Sequence, residues 1–185
     1  MSLYTHMARR AHMSSTKKTK APRQKPVVVA VSGGFDPVHI GHVRMFNEAK
    51  KLGDELVVIL NNDHWLELKK GFAFMPHDER KEVIEGFSAV DRVILTFHEP
   101  GTADMSVCNE LEHLHPDIFV NGGDRKLDGV PVPEVLVCER LGIAMVYNVG
   151  RGGKVQSSSW LIQKAREKAA GINKKAKKTE KVRLR

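Results

Sequence analysis

Five short apolar runs, Val27–Ser32, Glu55–Asn61, Arg92–Phe97, Asp117–Asn121 and Ile143–Asn148, alternate with longer stretches of helical periodicity. The runs are rich in Val, Ile and Leu and nearly continuous in apolar character, the pattern of parallel strands covered on both faces. The stretches between them, His39–Leu52, His77–Phe87, Thr102–His113 and Val132–Leu141, predict helices, as does Ser157–Ala170 after the last run. Gly53 and Gly142 follow two of these helices as C′ residues. Alternation at these lengths predicts an α/β fold, a Rossmann-like doubly wound parallel sheet of about five strands in a single domain. Ligands of such sheets bind at the carboxyl ends of the strands, near the point where strand order reverses.

Residues that carry chemistry follow these runs. Gly33-Gly34-Phe35-Asp36-Pro37-Val38-His39-Ile40-Gly41-His42 comes directly after the first. Glycines let backbone approach a ligand, and the free N–H groups of a first helical turn point at it with roughly +0.5 of dipole charge. His39 and His42, three apart, share one helical face and can both reach a phosphate seated on that helix end. Asn61-Asn62-Asp63 and Lys69-Lys70-Gly71 follow the second run, Asn121-Gly122-Gly123-Asp124-Arg125 the fourth, and Gly150-Arg151-Gly152-Gly153-Lys154 the fifth. Ser157-Ser158-Ser159 then opens the last predicted helix, with hydroxyls and N–H groups suited to phosphate. His64, His77 and His98 read as loop residues, and His113 and His115 lack ligand spacing.

Charge divides the chain. Residues 1–25 carry seven basic and no acidic side chains, and residues 164–185 have a net charge of +8. Because the whole chain is +8, residues 26–163 are left at −7. Two basic, aromatic-poor tails therefore flank an acidic globule and predict disorder, 1–25 entirely and 166–185 as a helical end with a disordered tail. Such tails suit nucleic acid or other anionic surfaces, or serve solubility alone. The opening Tyr4-Thr5-His6-Met7 looks partly like a cloning remnant, and an acid-free start also fits an organellar transit peptide. No apolar run reaches the ~20 residues of a membrane span. Cys108 and Cys138, without zinc or C-x-x-C spacing, read as reduced thiols of a cytoplasmic protein.

The G-x-F-D-x-x-H-x-G-H segment resembles the nucleotidyltransferase branch of the HIGH superfamily, the cytidylyltransferase-like enzymes. These include the glycerol-phosphate and phosphocholine cytidylyltransferases and the adenylyltransferase domain of ADP-heptose synthase. The resemblance runs from Val27 to Ala165 in ordered blocks. Lys70-Gly71-Phe72 is followed by Glu79-Arg80, then Val90-Asp91, then Pro116-Asp117 before Val120–Asp124, and finally the serine run. It implies a nucleotidyltransferase domain over residues 26–165, which moves a nucleoside monophosphate from ATP or CTP to a small phosphorylated acceptor such as a sugar or polyol phosphate. His39, His42 and Lys70 would be catalytic. Gly33, Gly34, Phe35, Asp36, Gly41, Arg80, Gly122, Gly123, Asp124, Ser157 and Ser158 would surround the nucleotide, with Phe35 packing beneath it. Asp36 is either a loop-fixing residue, a metal ligand or a helix N-cap. Arg80 either contacts phosphate or pairs with a carboxylate. Arg125 and Lys126 would cover the acceptor. Mg²⁺ would be held mainly by phosphates, and a homodimer is implied.

Two blocks depart from the cytidylyltransferases. Their Arg-Tyr-Val-Asp reads Ser88-Ala89-Val90-Asp91 here, and their Arg-Thr-Glu-Gly-Ile-Ser-Thr is replaced by Lys154-Val155-Gln156-Ser157-Ser158-Ser159. The heptose adenylyltransferase pattern lacks both and has Gly-Gly-Asp where this chain has Gly122-Gly123-Asp124, which favours ATP. A non-catalytic nucleotide- or RNA-binding module working through the tails is the alternative. A class I aminoacyl-tRNA synthetase fragment, which shares His-Ile-Gly-His, ranks last for want of a K-M-S-K-S-like lysine pair.

Overall fold

A computed structural model describes residues 25–122, 133–150 and 156–183, and the side chains of these up to residue 172. Five parallel strands form the sheet: β1 (Val28–Gly33), β2 (Glu55–Leu60), β3 (Arg92–Leu95), β4 (Ile118–Gly122) and β5 (Ala144–Val149). Their order is β3-β2-β1-β4-β5. The chain steps outward from β1 in one direction, then returns to the other side of it, so strand order reverses between β1 and β4. The crevice beyond those two carboxyl ends is where a ligand site belongs.

Helices cover both faces. On one lie α1 (Ile40–Ala49) and α3 (His77–Glu85); on the other lie α4 (Cys108–Leu114) and α5 (Pro133–Leu141). Strand residues alternate between them, as the pleat requires. Val29, Val31, Leu56, Val58 and Leu60 pack with Phe46, Ala49 and Ile84 on the first face. Ala30, Ile59 and Phe119 pack with Leu111 and Cys138 on the second. The core positions of α1, Met45, Phe46 and Ala49, fall on one stripe of the helix, and burying a side chain such as Phe46 stabilises by about 1.5–3 kcal/mol.

Several boundaries differ from the sequence expectation. The first helix ends at Ala49, and Lys50–Leu52 tightens into a 3₁₀ turn. Gly53 is extended, with φ −162°, rather than left-handed. Its value is closeness: a Cβ there would sit 2.7 Å from the Val27 carbonyl oxygen and 2.6 Å from Val29 Cγ2. Gly142 does take the left-handed conformation, at φ +69°. The predicted helix from Thr102 begins only at Cys108. Polar side chains hold the intervening residues in turns instead: Thr102 Oγ1 accepts from the Asp104 N–H, and Asp104 Oδ1 accepts from the Ser106 N–H. Such local bonds compete with helix formation.

A helix unforeseen in the sequence, α2 (Asp63–Lys70), follows β2. Asn62 caps it by accepting from the Trp65 N–H, and Gly71 ends it at φ +82°. His64 and His77, read as loop residues, therefore stand on α2 and α3. The last helix, α6, runs from Ser158 to Arg183, well past Ala170 and through most of the tail expected to be disordered. Its Ala, Lys, Gln and Glu content is strongly helix-favouring, and Gln163 bonds Glu167 one turn on. No helix among the described residues is long and apolar enough to cross a membrane.

Candidate active site

The first turn of α1 is capped by imidazoles. His39 is the N-cap, extended at φ −145°, and its Nδ1 accepts from the Gly41 N–H at 3.1 Å. His42 Nδ1 accepts in return from the His39 N–H at 3.3 Å. Hydroxyl or carboxylate oxygens usually fill these places. A ring nitrogen that accepts carries no proton, so each neutral ring holds its hydrogen on Nε2. The helix start thus fixes the tautomer of both histidines. Their rings stack, with centroids 3.6 Å apart and planes 19° from parallel.

Phe35 sets the height of this pair. Its ring meets His42 edge-on at 4.9 Å and Phe46 at 5.2 Å. To place the ring there the backbone adopts φ +48°, a conformation that costs a non-glycine residue on the order of 1–3 kcal/mol. Gly33 leaves the room, since a Cβ would stand 2.9 Å from the Phe35 ring. Phe35 is therefore the packing element expected beneath the site.

Asp36 fixes a loop. It is fully buried, and its two carboxylate oxygens accept from the Phe74 and Met75 N–H groups at 2.8 Å each. The helix cap is His39, so Asp36 does not serve there, and its committed oxygens make it no free metal ligand. Lys70 Nζ donates to the Asp36 carbonyl at 2.7 Å and lies 3.7 Å from its carboxylate. Burial pushes the Lys70 amine below its usual pKa, and the Arg80 charge adds to that, while Asp36 opposes it.

Arg80 lies wholly inside the protein and does not line the cavity, so it is not placed as a phosphate contact. Its Nε donates to the Met75 carbonyl at 2.9 Å. Nη1 donates to the carbonyls of Gly34 and Asn61, at 2.6 and 2.8 Å. Nη2 pairs with Asp63 Oδ1 at 2.6 Å. Asp63 also takes His77 Nδ1 at 2.9 Å, and although burial pushes its carboxyl up, these partners hold it below the usual range. One guanidinium thus ties the ends of β1 and β2 to α2 and to the segment before α3.

These elements enclose a cavity of about 370 Å³ at the carboxyl edge of the sheet, within the range of small-molecule sites. Of the residues singled out from sequence, Gly33, Gly34, Phe35, His39, Gly41 and His42 line one side of it. Lys70, Gly122, Ser157 and Ser158 line the rest. Ser157 Oγ accepts from the Trp160 N–H and so caps α6, while the Ser158 hydroxyl donates to the Pro37 carbonyl at 2.9 Å. The start of α6 is therefore pinned beside that of α1. Gly123, Asp124, Arg125 and Lys126, and the Arg151–Lys154 run, lie outside the described residues.

A family model described as cytidylyltransferase-like matches residues 30–140. The chain belongs to the cytidylyltransferase-like family. It is a nucleotidyltransferase. An FAD synthase of Thermococcus sibiricus is 33% identical over 145 residues, covering 77% of this chain and 94% of that one. An FAD synthase of Aciduliprofundum boonei is 38% identical over 117 residues, 63% of this chain and 73% of the relative. The bifunctional protein HldE of Hahella chejuensis is 36% identical over 136 residues, 72% of this chain but 25% of HldE. Among solved structures, the lipopolysaccharide core biosynthesis protein of Thermoplasma volcanium superposes with a TM-score of 0.56 at 28% identity, over 69% of this chain and all of that one.

Other groups around this nucleotidyltransferase cavity were not anticipated from sequence. Arg44, Trp65, Lys69 and Gln156 also line it. Lys69 Nζ rests 4.2 Å from the Trp65 ring centroid, and the Trp65 indole donates to the Met105 carbonyl at 2.9 Å. Recognising Asn62 and Gly71 as helix stops would have put Trp65 and Lys69 on a helix facing the site. No carboxylate is among the lining residues described, and no group of three or more metal-ligating side chains occurs among the described residues. The cavity therefore offers Mg²⁺ no protein cage, whereas Arg44, Lys69 and Lys70 suit a polyanion.

Burial, with His39 and Lys70 alongside, lowers the His42 pKa to about 3, and burial lowers that of His39. Both rings are then neutral donors near pH 7. The unfolded chain protonates His42 below about pH 6.5, whereas the folded chain resists until near 3, so stability falls as pH drops through that window. Between pH 7 and pH 5 this one group should remove on the order of 1–2 kcal/mol. Urea unfolding at the two pH values should show a smaller acid loss in His42→Gln than in the unsubstituted protein.

Proposed function

We propose that this nucleotidyltransferase moves AMP from ATP to the phosphate of a small phosphorylated acceptor, such as a sugar or polyol phosphate. An acceptor phosphate oxygen bonds to the α-phosphorus, the bond from that phosphorus to the bridging oxygen breaks, and pyrophosphate leaves with the electron pair. No covalent bond to the protein forms. Such transfers rest almost wholly on positioning and charge stabilisation.

The observation that carries the reading is the tautomer of the two histidines. With both Nδ1 atoms accepting from backbone N–H groups, the rings can donate from Nε2 but have no vacant nitrogen to take a proton. A nucleophile that needed deprotonation, such as an alcohol, would find no base in them. A phosphate monoester arrives already ionised, since its second pKa is about 6. His39 and His42 would donate to the α-phosphate oxygens, Lys70 would offset their charge, and the N–H groups at the start of α6 would take the β- and γ-phosphates. Mg²⁺ would enter with the triphosphate, held by phosphate oxygens and water. By resemblance Asp124 would serve nucleotide or acceptor binding, with Arg125 and Lys126 near the acceptor.

The relatives favour adenine. FAD synthases make a product in which AMP is joined through a pyrophosphate bridge to a flavin-bearing polyol phosphate, and the blocks that would mark a cytidylyltransferase are missing here. A pyrophosphate-release screen should cross ATP and CTP with sugar phosphates, polyol phosphates and FMN. Turnover with ATP and a product carrying AMP are expected. Silence with every pair, together with salt-sensitive RNA binding that persists without His39 and His42, would replace this reading with a binding module.

A further inference from the structure

Three buried side-chain polar atoms lack a hydrogen-bond partner among the described residues, and all three stand along the carboxyl edge of the sheet. They are Asn61 Oδ1, just past β2; His98 Nδ1, just past β3; and Asn121 Nδ2, in the last turn of β4. Native proteins pair nearly all such groups. Three exceptions at neighbouring strand ends call for a partner from outside the chain.

Printed contacts join them into a row. The Asn61 N–H donates to the Gly33 carbonyl at 3.0 Å. The side chain of Asn62, the next residue, donates to the His98 carbonyl at 2.6 Å, which brings the end of β3 against that of β2. On the other side, Val31 pairs with Val120, so Ser32 stands beside Asn121. Ser32, Gly33 and Gly122 line the cavity, and Trp65, also in its wall, holds the Met105 carbonyl of the segment that carries His98. The row therefore borders the site, on the sheet face turned toward α4 and α5, while the histidine pair lies on the α1 side.

The chemistry of the three atoms is specific. His98 Nε2 contacts the Ser106 carbonyl at 2.9 Å, and a carbonyl can only accept, so Nε2 holds the proton and Nδ1 is a bare acceptor. Asn61 Oδ1 is a second acceptor, and Asn121 Nδ2 is a donor. A ligand must bring two donors and one acceptor to three separated places. Hydroxyl groups do both. A trimethylammonium head can do neither.

We propose that Asn61, His98 and Asn121 read the hydroxyl groups of the acceptor, and that the acceptor is a polyhydroxylated phosphate ester. This rests on the reading above, that the cavity transfers a nucleotidyl group to a phosphorylated acceptor. The phosphate lies at the histidine pair and the hydroxylated body extends across the edge of β1 to the row. These three are specificity residues, and none takes part in the bond exchange.

The test uses the full chain, ATP, and five acceptor probes: glucose 1-phosphate, glycerol 3-phosphate and FMN, against ethyl phosphate and phosphocholine. The unsubstituted protein should turn over a hydroxylated probe and neither of the other two. Asn61→Leu and Asn121→Leu replace an orphaned amide with an apolar group of similar size. Each should raise the KM for that acceptor about tenfold or more, because a ligand hydroxyl loses its partner. The KM for ATP should stay within about twofold, and Tm should hold or rise as an unsatisfied buried group is removed. Unchanged acceptor KM in both variants, with or without a fall in Tm, overturns the proposal, as does equal use of ethyl phosphate. Turnover by the unsubstituted protein beside indifferent variants sinks this inference alone; no turnover with any pair sinks the transferase reading and this one with it.

Discussion

His42→Ala should lower kcat by about a hundred- to a thousandfold, the usual cost of removing one well-placed donor from a developing charge. The substitution also takes away the acceptor that caps the His39 N–H and the edge contact with Phe35. Loss of a cap alone costs about 1 kcal/mol, so the variant should remain folded, with its far-ultraviolet circular dichroism preserved. His42→Asn separates the two effects, because an amide oxygen can restore the cap without restoring an imidazole Nε2–H. If His42→Asn regains stability while its kcat stays low, the ring acts on the substrate. Full activity in a folded His39→Ala/His42→Ala double variant would remove the histidine pair from the mechanism.

The second large effect is expected at Arg80, and it is one of stability. A buried guanidinium that serves three carbonyls and one carboxylate cannot be removed without leaving several groups unpaired. Arg80→Ala should therefore destabilise by about 3–5 kcal/mol, read as a lowered urea midpoint. Arg80→Lys should recover little, since an ammonium has no fork to bridge Gly34, Asn61, Met75 and Asp63 together. Because Gly34 lies in the turn under the nucleotide, Arg80→Lys should also raise the KM for ATP. A lysine variant with unaltered stability would show that the ties are not worth their geometry.

The sheet was legible because its signal is local. Val28-Val29-Ala30-Val31 and Leu56-Val57-Val58-Ile59-Leu60 are fully covered strands, and their sequences say so. The glycine and histidine segment was legible for the same reason. What escaped depended on partners distant in sequence. Eight-residue α2 has only Trp65 and Leu66 buried, so its apolar stripe is too short to read, and with it went Trp65 and Lys69 as cavity residues. Arg80 looked like a surface cation because nothing near it in sequence announces three carbonyls from other segments. His98 carried no motif at all; only its unpaired nitrogen, in a folded context, sets it apart. The start of α4 was misplaced because turn-forming side chains at Thr102 and Asp104 outcompeted a helical pattern.

A cavity walled by Arg44, Lys69 and Lys70 and free of lining carboxylates attracts by charge, and charge does not distinguish what enters from what leaves. Triphosphate and the departing diphosphate fragment are both multiply negative, so the same cations grip both. Net flux in the forward direction then depends on something outside this protein consuming that fragment, and a reaction mixture supplemented with a pyrophosphatase should run further than one without.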